Sequence, residues 1–223
     1  MKLQRSTAGM LAAVVGLIGL RAFDEFTAPE APVIPDHPVA QHSAEANKAD
    51  GMIKLHLAGR SVQEGKQELG RMMARAKRLL DADALERRLE LRLTMFERSS
   101  EPVCARLGRG AATQEELLDA LHSLPNDGYR VWNEYFRADL KLGMGVEDLP
   151  PPMDMARQVA LYELLLAGQR NDDDRARFAE VWKATAKAND TALCWFFKTA
   201  YRVAIRAEDS PTRTDALRFL WGL

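Results

Sequence analysis

Residues 191–206 read TALCWFFKTAYRVAIR and, apart from Lys198, Arg202 and Arg206, are apolar on nearly every side of a helical wheel. A helix of that kind buries itself among other helices, so it is expected at the centre of an all-α body. The rest of the chain agrees. Ala, Leu, Arg, Glu and Met dominate, Val and Ile are scarce beyond residue 53, and no β-branched run suggests a strand.

Working towards the N-terminus from that stretch, Asn171 followed by Asp172, Asp173 and Asp174 reads as a helix cap, with acids complementing the helix dipole. A calcium loop needs alternating oxygen ligands and a glycine turn, and this run has neither. Ala156 to Leu166 is a leucine-rich helix, preceded by the one long loop inside the body, GMGVEDLPPPM at 143–153. Asp127 is expected to cap a helix that buries Val131, Trp132, Tyr135, Phe136 and Leu140 and stops at Gly143. Thr113 and Glu116 have capping-box spacing, and Pro125 ends the helix they begin. Glu101-Pro102 opens a short helix carrying Cys104, closed by Gly108 and Gly110. The apolar stripe over 61–98 changes register at Asp81-Ala82-Asp83, which predicts a break there, and a weaker amphipathic stretch covers 44–58. Towards the C-terminus, Ser210-Pro211 starts a last helix docked by Leu217, Phe219, Leu220 and Trp221. The expected fold is a multi-helix bundle of α-hairpins over residues 44–223, with no internal repeat.

Residues 1–43 read differently. MKLQR is a positive start, STAGMLAAVVGLIGL at 6–20 holds no charge, and Arg21 is followed by Asp24, Glu25 and Glu30. That asymmetry predicts a segment at 1–23 that stays inside at its N-terminus and carries the following chain across a bilayer. The uncharged run of 15 residues suits a signal peptide or a short anchor. Leu20-Arg21-Ala22 is a poor cleavage site and no lipobox cysteine exists, which favours an uncleaved anchor over a cleaved signal. Pro29, Pro32, Pro35 and Pro38 then recur every third residue, the period of a polyproline II helix, so 24–43 is expected to be an extended linker. The expected location is a bacterial inner membrane with the body periplasmic; the alternative is a cleaved, periplasmic protein.

Charge narrows the partners. The formal net charge is −1, and setting aside Lys2, Arg5 and Arg21 leaves −4 for residues 23–223. A body of that sign has no electrostatic reason to bind nucleic acid. A protein partner and a membrane are expected instead.

Few residues point to chemistry. His37, His42, His56 and His122 form no ligand pair with helical spacing, and the first two fall in the linker, where solvated histidines are the common case. No metal or cofactor is expected. His122 and Ser123 with Asp119 suggest a triad, but neighbouring residues on a helix point about 100° apart and cannot make the bond it needs. Glu115-Glu116 and Glu147-Asp148 read as solvated pairs, and Gly143-Met144-Gly145 lacks the strand and third glycine of a phosphate loop. Cys104 and Cys194 are the disulfide candidates, and both also suit the role of small buried apolar residues. The expected role is therefore a non-enzymatic, membrane-tethered envelope protein acting through protein contacts, as an assembly or chaperone-like factor. Two alternatives stand beside it: an envelope enzyme using Tyr135, Arg137 and Asp154 near the 143–153 loop, and an immunity-type binder of a toxin or small ligand.

Overall fold

The computed structural model describes residues 37–145, 149 and 151–222. Among these are eleven helices and no strand. In chain order they are α1 (Pro38–Ala49), α2 (Gly51–Leu57), α3 (Val62–Leu79), α4 (Ala82–Arg98), α5 (Glu101–Arg109) and α6 (Gln114–His122). They continue with α7 (Gly128–Gly143), α8 (Met155–Ala167), α9 (Asp172–Lys183), α10 (Asp190–Arg206) and α11 (Pro211–Trp221). The protein is an all-helical bundle in two compact units. Of the described residues, one takes those up to Leu79 and those from Arg109 as far as 149; the other takes Leu80–Gly108 and Pro151–Trp221.

In the first unit, α7 packs against α1, α2, α3 and α6. Its core gathers Ile53, Leu57, Leu69, Met72 and Leu140. The α3–α7 contact is close because position 143 is glycine: a Cβ there would stand 1.9 Å from the carbonyl oxygen of Met72. Of the five residues expected to be buried on α7, only Leu140 is fully so; Val131, Trp132, Tyr135 and Phe136 are half-buried. With four neighbours around it, α7 spreads its apolar residues over several shallow contacts rather than one seam.

The second unit is built on α10, which packs against α4, α8, α9 and α11. Its Leu193, Phe196, Phe197, Ala200, Tyr201 and Ala204 are buried, while Arg202 and Arg206 reach solvent. Phe178 of α9 stacks on Phe196 at 4.7 Å, and Phe96 of α4 meets Tyr201 edge-on at 5.2 Å. These pairings put the quoted stretch at the centre of its own unit.

Local signals set most helix ends. Asp81 accepts a hydrogen bond from the Ala84 amide at 2.7 Å, so the chain breaks at the aspartates between α3 and α4. The capping box of Thr113 and Glu116 is complete, and Asn171 accepts from the Asp174 amide.

Two expectations are corrected. Residues 38–43 are not extended: α1 begins at Pro38, because proline at the first helical position gives up an amide that has no intrahelical partner. The His37 ring takes the amide of Val39 at 3.2 Å in the manner of a cap. Asp127 does not cap α7. Its backbone is left-handed, φ 55° after Asn126 at φ 54°, and its carboxylate turns to Arg130 at 3.7 Å instead. The expected segment 1–23 and the linker up to residue 36 lie outside the described residues. Among the described residues, no helix is long and apolar enough to cross a membrane.

Candidate functional site

Cys104 lies on α5 and Cys194 on α10, and the fold brings them together. Their Cα atoms are 5.3 Å apart, and the sulfurs are bonded across a sequence separation of 90. Both side chains are buried, at 0% and 1% exposure. The surroundings are close-packed: a Cβ at Gly108, one turn beyond Cys104, would stand 2.1 Å from the Phe197 ring. Thr191 Oγ1 also hydrogen-bonds the carboxylate of Glu101, so α5 is held to the start of α10 at a second point. A disulfide enclosed in this way is a structural clamp, shielded from attack by a thiolate.

Each unit holds a network of buried polar groups, with Gln169 Oε1, Arg213 Nε and Arg218 Nε left without a hydrogen-bond partner in the second. In the first, the Glu68 carboxylate meets Arg75 at 3.2 Å, Arg71 at 3.3 Å and the Nε2 of His56 at 3.3 Å. Burial alone raises its pKa, but the bonds from His56 and Arg71 and the charges of Arg75 and Arg60 outweigh that and hold it below the usual value. In the second, Asp215 is bound bidentately by Arg157, and Arg213 joins Glu86 to the carbonyl of Ile205. The Tyr201 hydroxyl donates to the Leu220 carbonyl at 2.8 Å, and Arg92 reaches the carbonyls of Leu107 and Trp221, satisfying the end of α11. Burial raises the Tyr201 pKa against a smaller opposing effect of Arg92, so the phenol keeps the proton it donates. These networks tie helices together within each unit.

The other residues singled out from sequence are engaged locally. Ser123 Oγ donates to the Ala120 carbonyl at 2.7 Å, and Asp119 lies 3.5 Å from His37 rather than against His122. The linker histidines are part-buried against neighbouring rings rather than free in solvent, which corrects that reading. The His37 ring is edge-on to His122 at 5.7 Å, and the His42 ring to Tyr129 at 5.5 Å, because α1 lies on α6 and α7. Asp154 caps α8 by accepting from the Arg157 amide at 2.8 Å, and Arg137 donates to the Asn133 carbonyl. Glu116 serves the capping box and Glu115 is exposed, while Glu147 and Asp148 lie outside the described residues. Among the described residues, no group of three His, Cys, Asp or Glu side chains is placed to hold a metal.

What sequence reasoning missed is apolar surface. In the first unit, α2 exposes Met52 and Leu55 at 60% and 79%, and Leu142 is 40% exposed; in the second, α8 exposes Met155 and Val159 at 58% and 48%. The signal was present. GMIKLHL has four large apolar residues in two turns, and burying Ile53 and Leu57 uses up the inward face. α8 is likewise apolar on all sides, yet only Leu161 and Leu165 are fully buried. Its outer face joins Met155 and Val159, one turn apart, to exposed Asp154, Gln158 and Glu163.

No family model, no curated protein and no solved structure matches this chain.

Proposed function

We propose that this chain is a non-enzymatic protein of a bacterial-type cell envelope. Residues 1–23 hold it to the inner membrane, a proline-rich spacer follows, and the bundle is presented to a protein partner as an assembly or chaperone-like factor. The observation that carries the reading is the buried Cys104–Cys194 pair. Disulfides of this enclosed kind persist in oxidising compartments and are rare in the cytosol. The charge pattern of the first 30 residues supports the same location.

For the partner-facing surface, the support is the outer face of α8. Met155 and Val159 offer an apolar anchor, and Asp154 and Glu163 give it an acidic rim. Arg157 on the same helix is neutralised by Asp215. The partner that fits is a protein with an apolar pocket and a basic border. The test is a photo-crosslinking residue at Val159 in whole cells. A single discrete adduct, lost when Met155→Asp is added without change in thermal unfolding, is the expected result. An adduct that survives Met155→Asp, or no adduct at all, overturns the role given to this face.

A further inference from the structure

We propose that the outer face of α2 is a contact for an anionic lipid surface, so that the first unit rests on the bilayer. This rests on the tethered reading above and goes beyond it. Met52 and Leu55 are three positions apart on one face of α2 and are the two most exposed large apolar residues among those described. The stretch of chain that carries them is positive. Between Asp50 and Leu80 the chain carries Lys54, Arg60, Lys66, Arg71, Arg75, Lys77 and Arg78 against Asp50, Glu64 and Glu68, a net +4 in a body that is otherwise acidic.

The acids of this stretch are drawn away from the face. Asp50 is buried as the cap of α2 and is held by Lys141 at 2.6 Å. Glu68 is buried among His56, Arg71 and Arg75. Glu64 is exposed but turned back onto the amide and hydroxyl of Ser61. Two cations on or beside α2 are exposed, Lys54 and Arg60, the Arg60 Nε lying 3.3 Å from the His56 carbonyl at the end of α2.

Exposed apolar side chains beside the exposed cations Lys54 and Arg60, with the nearby acids Asp50 and Glu68 buried, match the headgroup region of an anionic bilayer. The outer face of α8 has the opposite rim, acidic, with its one cation Arg157 paired to Asp215, which is why a protein is assigned there and lipid here. Place in the chain points the same way: α2 is the second described helix after the charge-free run of residues 6–20.

The experiment reconstitutes the full chain into phosphatidylcholine vesicles with and without phosphatidylglycerol and measures amide exchange over residues 51–57. The chain is expected to float with both vesicle types and resist carbonate. Exchange in α2 is expected to slow about tenfold only where phosphatidylglycerol is present. Met52→Ser with Leu55→Ser removes that slowing and leaves flotation unchanged. Flotation with identical exchange in both vesicle types overturns the lipid contact while the tether stands. Failure to float overturns both. Slowing in whole envelopes but not in phosphatidylglycerol vesicles assigns the face to a protein and overturns the proposal.

Discussion

At Glu68 the cost of burying a carboxylate is outweighed by three basic partners, and this makes the residue sensitive to acid. Its pKa in the folded protein lies below its ordinary value. The stabilisation is therefore fully present above the unfolded pKa, and falls away as pH drops through the folded one. Glu68→Gln is expected to cost about 1 to 3 kcal/mol at neutral pH and to flatten the acid side of the stability profile, measured by urea unfolding across pH. Gly143 is fixed by space instead. A methyl group there meets the Met72 backbone, which has no rotamer with which to yield. Gly143→Ala is expected to destabilise by about 1 to 3 kcal/mol, whereas Gly51→Ala, with open space around it, gains up to about 1 kcal/mol. Thermal unfolding of the two variants gives the comparison. Neither constraint is written in the sequence near these positions. Gly143 read only as a helix stop and Glu68 carried no signal at all, because the neighbours that constrain them arrive through the fold.

Between single residues and the whole chain, helix ends were the most legible feature, since a cap depends on three or four consecutive residues. Thr113 with Glu116, and Asn171, bond the amides that their spacing implied, and the break expected at Asp81 is a cap on the Ala84 amide. Asp127 fails for a definite reason. Two left-handed residues in succession after Pro125 leave it outside the extended geometry from which a cap side chain reaches back. Asp81→Ala is thus expected to cost about 1 kcal/mol, while Asp127→Gly is neutral or gains up to about 1 kcal/mol, by the same unfolding measurement. Proline gave the opposite lesson at α1. The triplet spacing that suggests an extended linker is overridden at Pro38, where a proline opens a helix as readily as it prevents one. The outer faces of α2 and α8 stayed hidden because apolar periodicity reports how much apolar surface a helix has, and says nothing of whether a neighbour covers it.

For the molecule as a whole, the sequence shows an all-helical body but not its pairing. α3 packs with α7 and α4 with both α10 and α11, contacts between helices distant in sequence, beside the consecutive pairs α6–α7, α8–α9, α9–α10 and α10–α11. The chain leaves the second unit after Gly108 and returns at Pro151, so the loop closed by Cys104 and Cys194 contains the whole Arg109–Pro150 part of the first unit. Opening it frees a large loop in the unfolded state. Cys104→Ala with Cys194→Ala is expected to lower stability by about 4 to 5 kcal/mol on the chain-entropy account, and the oxidised protein is expected to lose the same amount on reduction in denaturant. Equal urea midpoints for oxidised and reduced protein contradict the clamp.

Location decides whether that bond forms at all, and one measurement reaches it directly. The full chain is fused at its C-terminus to alkaline phosphatase in one strain and to green fluorescent protein in another. Strong phosphatase activity with no fluorescence is expected if, as proposed, the helical body is carried out of the cytosol. Fluorescence without phosphatase activity contradicts it.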